Sequence, residues 1–417
     1  MEIRRDRYLK RLQVRMHNGM IKVITGARRC GKSYLVFKLF RNWLIDQGIP
    51  QDHIVEMAFD MRENAAFRSP DYFLSWAKEQ MQGEGFYYLL LDEVQMLDSF
   101  EEVLNSLLHI DNIDVYVTGS NSKFLSSDVI TEFRGRGDEV RIQPLSFSEF
   151  MQTYSGNRYD AWAEYLMYGG MPLAATMQTD EQKASYLQAL FTETYLKDIL
   201  DHNRIKNNVE LDELVDVLAS SVGSLTNPTK IAATFRSVHG STLSPSTVQA
   251  YIGYLEDSFL IEEAVRFDVK GRHYIGSPKK YYFEDVGLRN ARLGFRQVEE
   301  THLMENIIFN ELRSRGMLVD VGVVPVRERN DAGILERKQL EIDFVATQGS
   351  SKYYIQSAYA LPDEEKRHQE EASLVRVPDS FRKIILVGTP TKTWHDEQGI
   401  TFMNVLDFLL DEKSLER

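Results

Sequence analysis

The stretch Gly26-Ala27-Arg28-Arg29-Cys30-Gly31-Lys32-Ser33 constrains this chain more than any other. It fits the pattern G-x-x-x-x-G-K-[ST] and stands in the context that gives the pattern meaning. The apolar run Ile21–Thr25 precedes it, and Lys32–Gln47 follows with Leu35, Val36, Leu39, Phe40, Trp43 and Leu44 at helical spacing. A strand that turns through a glycine loop into a helix points successive backbone N–H groups at one spot. The positive end of the helix dipole adds to that pocket, which suits phosphate. Lys32 is expected to neutralise the outer phosphates and Ser33 to ligate Mg²⁺, with ATP as the nucleotide. The expected contact set runs from Gly26 through Ala27, Arg28, Arg29, Cys30, Gly31, Lys32 and Ser33 to Tyr34.

A second element follows about sixty residues later, after intervening strand–helix units. Tyr87-Tyr88-Leu89-Leu90-Leu91-Asp92-Glu93 is an apolar strand ending in two acids. Asp92 is expected beside the metal, and Glu93 is expected to polarise the attacking water as general base. An acid next to the metal-binding aspartate marks a hydrolase rather than a bare nucleotide switch. After the next strand, Ile113–Thr118, Ser120 and Asn121 are candidates to hold the lytic water or the γ-phosphate; an ordinary turn is the alternative. Arg136, with Arg134 second, is a candidate to reach a neighbouring chain's γ-phosphate, against the alternative of a solvated basic loop.

At 417 residues, two to four domains are expected. Strands alternate with helices from Met20 to Pro144, which implies a parallel α/β sheet covered on both faces. The next stretch reads as helical. Between Thr226 and Leu293, helices over Thr229–Val238 and Ser244–Ser258 precede strands, the order of a winged helix. From about His302 the order helix, strands, helix, strand reads as a separate α/β domain. The expected boundaries are 1–150 for the P-loop core, 151–225 for a helical lid, 226–295 for the winged helix and 296–417 for the last domain. A single cysteine excludes an internal disulfide framework or multi-cysteine zinc site, and no apolar run reaches membrane-spanning length. These features point to a cytoplasmic protein. The net charge of −13 argues against a chain that coats nucleic acid, yet Met1–Arg41 holds twelve Lys/Arg against two acids. A solvated basic helix plus the phosphate loop is one reading; a nucleic-acid contact face is the other.

GARRCGKS, LLLDEVQ, VTGSNSKFL, the GRG loop, PLSFSEF (Pro144–Phe150), YGGMP (Tyr168–Pro172), TYLKDI (Thr194–Ile199), MENIIFNEL (Met304–Leu312) and LEIDFVA (Leu340–Ala346) together cover nearly the whole chain. In these pieces the sequence resembles the bacterial and archaeal AAA+-like ATPases that carry a C-terminal domain of unknown function. The resemblance implies an AAA+-type core, a helical lid, a winged helix and a restriction-endonuclease-like C-terminal fold of the PD-(D/E)xK type. It also implies that Gly170 and Pro172 sense the bound nucleotide, with a plain turn between helices as the alternative, and it extends to ATPases that form homo-oligomers, with a ring, a dimer or neither left open for this chain. Asp343, with Glu305, would supply acids of the nuclease pattern, but Gln356 and Ala358 stand where the D/E and K belong. Neither can hold a metal or orient water, so no nuclease activity is expected.

The leading reading is an ATPase that couples turnover to conformational work on duplex DNA or a protein partner. Its rivals are an ATP-dependent signalling switch with little turnover and an ATP-regulated nuclease. For DNA contact the candidates are Ser244, Ser246, Thr247, Gln249 and Tyr251 on the second helix, and Lys270, Arg272, Lys279 and Lys280 on the wing.

Overall fold

Apolar β-branched and aromatic runs separated by amphipathic helices set up two sheets, each buried in its own compact unit. The structure, a computed structural model, describes residues 2–119, 135–203, 205, 208–239, 243–329 and 335–416. One unit comprises Met1–Pro144 with Asp257–Phe259; the other comprises Leu145–Glu256 with Leu260–Arg417.

The first unit is built on five strands: β1 (Ile21–Gly26), β2 (Ile54–Ala58), β3 (Tyr87–Asp92), β4 (Ile113–Thr118) and β5 (Gly137–Ile142). Their order is β2-β3-β4-β1-β5, and every pairing is parallel. All residues of β1 and β3 are buried, as a sheet covered on both faces requires. Helices Pro70–Gln80 and Phe100–Leu107 supply Phe73, Ala77, Val103, Leu104 and Leu107 to the core beside Val23, Leu89, Leu91, Val115 and Val117. Because β4 lies between β1 and β3, the loops leaving β1 and β3 open on either side of a crevice. In parallel α/β sheets such crevices at the carboxyl ends of strands receive ligands.

The second unit begins with a capping box. The Ser146 hydroxyl accepts from Glu149 N–H, and the Glu149 carboxylate accepts from Ser146 N–H, which explains the polar residues in PLSFSEF. Helices Arg158–Tyr168, Pro172–Thr176, Asp180–Ala189, Lys197–Asn203 and Asn208–Ser220 follow. The glycines of YGGMP have a packing reason inside this unit. A Cβ on Gly170 would sit 2.1 Å from the Leu145 carbonyl oxygen, and Gly170 N–H donates to Asp285 at 2.6 Å. Asp285 also caps helix Val286–Arg292 through Leu288 N–H, and full burial pushes its carboxyl up to about 6.

Helices Pro228–His239 and Pro245–Asp257 then precede the hairpin of β6 (Ile261–Asp268) and β7 (His273–Phe283), in the order expected from the sequence. After helix Glu300–Ser314 come β8 (Leu318–Arg329), β9 (Leu335–Gln348), β10 (Ser351–Ala358), helix Glu364–Val375, β11 (Arg382–Val387), β12 (Trp394–His395) and β13 (Ile400–Asn404). All eight strands form one sheet, ordered β12-β13-β11-β10-β9-β8-β6-β7. The hairpin is therefore not a free wing. Its β6 pairs in parallel with β8 through Arg266–Val321, Phe267–Gly322 and Asp268–Val323, across the position 295/296 that separates the two segments in the sequence reading.

Candidate nucleotide site

The phosphate-loop motif leaves the carboxyl end of β1 and enters the helix that starts at Lys32–Tyr34 and continues through Leu35–Phe40 and Arg41–Asp46. Its conformation depends on its glycines. Gly26 has φ +137, and a Cβ there would lie 2.0 Å from the Ile142 carbonyl oxygen at the end of β5. Gly31, which precedes the helix, has φ +101. The Lys32 ammonium is buried and donates to the carbonyl oxygens of Gly26 and Ala27, each at 2.9 Å. It thus lies across the loop from which the N–H groups are expected to reach phosphate.

Ser33, at the start of the helix after β1, and Asp92, at the end of β3, meet here. The Ser33 hydroxyl donates to Asp92 Oδ1 at 3.0 Å, and the Thr118 hydroxyl at the end of β4 donates to the same oxygen. Burial raises the Asp92 carboxyl above the ordinary range, while these two hydroxyls pull it back down. A buried carboxylate held by two neutral hydroxyls, beside a second hard oxygen, is a fitting donor set for Mg²⁺. Glu93 follows in a left-handed conformation, φ +49, that few non-glycine residues adopt. Its N–H donates to Thr118 Oγ1 at 3.3 Å, and its carboxylate accepts from the Gln95 side-chain amide.

Two contributors escape a reading of the sequence. Arg5 is buried, and its guanidinium donates to the Cys30 carbonyl at 3.0 Å and the Gln143 carbonyl at 2.7 Å, fastening the back of the loop to the end of β5. Thr118 reads in the sequence only as the end of a strand. Part of the basic N-terminal run is likewise internal: Lys22 is buried against Asp114, and Arg5 and Lys32 are buried as described. These three cannot belong to a nucleic-acid face.

The remaining candidates divide. Ser120, Asn121 and Arg134 lie outside the described residues. Arg136 is exposed, and its carbonyl accepts from Ile21 N–H at 2.9 Å, so it stands at the amino end of β1 and β5. Gly26 is five residues further along β1, roughly 16 Å away. Arg136 does not serve the loop of its own chain. Among the wing cations, Lys270 and Arg272 are exposed, but Lys280 is buried and Lys279 pairs with Glu263. Lys280 is therefore removed from the expected DNA-contact set.

Comparison with known proteins agrees with this geometry. Residues 18–151 match the sequence profile of the AAA domain, and residues 159–299 match a profile described as a domain of unknown function. An uncharacterized protein of Haemophilus influenzae is 32% identical over 414 residues, covering 98% of this chain and 98% of its own. An uncharacterized protein of Methanocaldococcus jannaschii is 25% identical over 402 residues, covering 93% of this chain and 85% of its own. Among solved structures, a Walker-type ATPase of Pyrococcus abyssi covers 70% of this chain and 96% of its own at 15% identity, with a TM-score of 0.48. Among the described residues, no helix is long and apolar enough to cross a membrane. The chain belongs to one family with the Haemophilus influenzae protein, over 98% of its length, and its residues 18–151 match the AAA domain.

Proposed function

We propose that the first unit binds ATP with Mg²⁺ and hydrolyses the β–γ bond. The observation that carries this reading is the convergence of Ser33 from the phosphate loop and Asp92 from β3 at 3.0 Å, with the Lys32 ammonium held on the carbonyls of the same loop. Ser33 and Asp92 would hold the metal, which would supply positive charge to offset the charge that builds up as the bond breaks. Lys32 exchanges the Gly26 and Ala27 carbonyls for phosphate oxygens, a stronger charge-assisted pairing. Glu93 takes a proton from the attacking water, and the water oxygen adds to the γ-phosphorus as the bond to the leaving ADP oxygen breaks. Thr118 ties Asp92 to Glu93 and so sets the distance between metal ligand and base. Arg136 is assigned to a neighbouring chain's nucleotide, since its own loop lies out of reach. Steady-state phosphate release by wild type and Glu93→Gln tests the reading; equal rates would remove Glu93 from it.

One observation favours a slower, switch-like version. The Gln95 amide already engages the Glu93 carboxylate, so the base must be released before it can act. Gln95→Ala then raises turnover, whereas in a fast enzyme it leaves turnover unchanged.

Turnover would be coupled to work on duplex DNA or a protein partner by the second unit. The helix pair with its hairpin supports the DNA version, with exposed Ser246 and Gln249 on the second helix and Lys270 and Arg272 at the turn of the hairpin. Duplex affinity that falls steeply with salt and weakens in Lys270→Glu/Arg272→Glu is the expected result. No binding at low salt, with or without ATP, would leave the protein partner.

A further inference from the structure

The second unit holds a cluster whose members, in the sequence, fall partly in a nuclease-like remnant and partly in a DNA-facing wing. Lys280 on β7 is 3% exposed. Its Nζ lies 2.8 Å from Glu341 Oε1, 2.9 Å from Glu305 Oε1 and 3.7 Å from Asp343 Oδ1. The carboxylates are aimed from outside as well. The Tyr282 hydroxyl donates to Glu305 Oε1 at 2.7 Å, and Ser357 N–H donates to Asp343 Oδ2 at 2.8 Å. Glu341 and Asp343 are two residues apart on β9, the spacing that puts side chains on one face of a strand. Burial alone would lower Lys280, but the three carboxylates outweigh it and keep the ammonium charged.

Three oriented carboxylates around one point is how proteins bind a hard divalent cation, yet the point is taken by nitrogen. Among the described residues no group of three or more His, Cys, Asp or Glu is arranged to hold a metal ion. We propose that the Lys280 ammonium stands where a divalent cation would sit among Glu305, Glu341 and Asp343. The C-terminal sheet thus carries a cation site satisfied by its own side chain, and it takes a metal only when that ammonium is removed. The tethered lysine has the advantage of effective concentration, and Mg²⁺ would have to shed water to compete. The arrangement is a second reason for no metal-dependent cleavage, beside Gln356, whose Oε1 accepts from Asp343 N–H. The cluster owes nothing to whether the first unit hydrolyses ATP.

The test uses the full chain carrying Asp92→Asn, so that the nucleotide site loses the carboxylate assigned to its metal, with Mn²⁺ as probe. Bound Mn²⁺ is counted by electron paramagnetic resonance and Tm is followed with and without the ion. Lys280→Met should bind one Mn²⁺ per chain more than its parent and gain Tm on adding it. Asp343→Asn on top should abolish both effects, and the parent should show neither. Parent binding that Asp343→Asn removes would overturn the proposal, as would a folded Lys280→Met that binds no extra ion. If Lys280→Met does not fold, Lys280→Gln is judged by the same outcomes. Failure of both to fold in millimolar Mn²⁺ would also overturn it, because the metal then cannot replace the ammonium.

Discussion

Asp92 in the first unit and Asp343 in the second are both buried carboxyls raised above their ordinary range, mainly by burial. They differ in what holds them. Asp92 receives two hydroxyls, from Ser33 and Thr118, and the lysine of the phosphate loop is engaged by backbone carbonyls. Asp343 shares its surroundings with two further carboxylates and a buried lysine. Hydroxyls are neutral and can turn toward a cation. An ammonium already supplies the cation, and withdrawing it would strand buried negative charge. Placing an acid in a cleft is therefore not enough to make a metal site; the partner decides whether the acid remains available.

The largest effect is expected at Lys32. Lys32→Ala should weaken nucleotide binding by ~100-fold or more, the scale of a lost charged hydrogen bond to phosphate; fluorescent-nucleotide titration measures it. Wild-type affinity in that variant would mean that the lysine of the first unit is tied to its protein partners as firmly as that of the second. Glu93→Gln should keep binding and reduce kcat by ~10²–10⁴-fold, read by phosphate release alongside nucleotide content.

Asp285 is a different case, a buried carboxyl held by the backbone N–H groups of Gly170, Gly287 and Leu288. Its folded value of about 6 lies above the unfolded one, so its contribution to stability is complete below about pH 4 and lost as pH rises through 6. Denaturant unfolding of wild type relative to Asp285→Asn should show a loss on the order of 3 kcal/mol between those limits and little change above. A flat difference would mean that the N–H groups alone keep it ionised. The smallest effect is expected from Thr118→Val. Loss of one hydroxyl should cost about 1 kcal/mol, a several-fold fall in kcat with binding intact; a larger loss would make Thr118 as important as Ser33.

What was legible in the sequence was local. Gly26–Ser33 and Asp92–Glu93 are runs whose meaning comes from the strand before and the turn after, and the structure sets them where that order requires. Arg5 was not legible, because one of its partners, Gln143, lies 138 positions away and nothing near Arg5 distinguishes a clasp from a surface charge. Lys280 misled for a related reason. Its neighbours Lys279 and Tyr281 suit a wing, while its carboxylates arrive from a later helix and strand. Gln356 and Ala358 could be judged because their positions are defined by the strand itself, without long-range contacts. Gly170 looked like a nucleotide sensor by resemblance, and the Leu145 carbonyl 2.1 Å from its missing Cβ accounts for a glycine there by packing.

The three-residue pairing of β6 with β8 has a consequence for excision. A chain cut between the hairpin and helix Glu300–Ser314 would release two fragments, each with a newly bared strand. On one, the edge of β6 would offer unpaired N–H and C=O groups beside an ammonium with no carboxylates. On the other, β8 would be bare beside carboxylates with no cation. Open edges of this kind recruit strands from other molecules. The two fragments should therefore precipitate apart and dissolve when co-expressed, behaving as halves of one folding unit rather than as modules that can be moved separately.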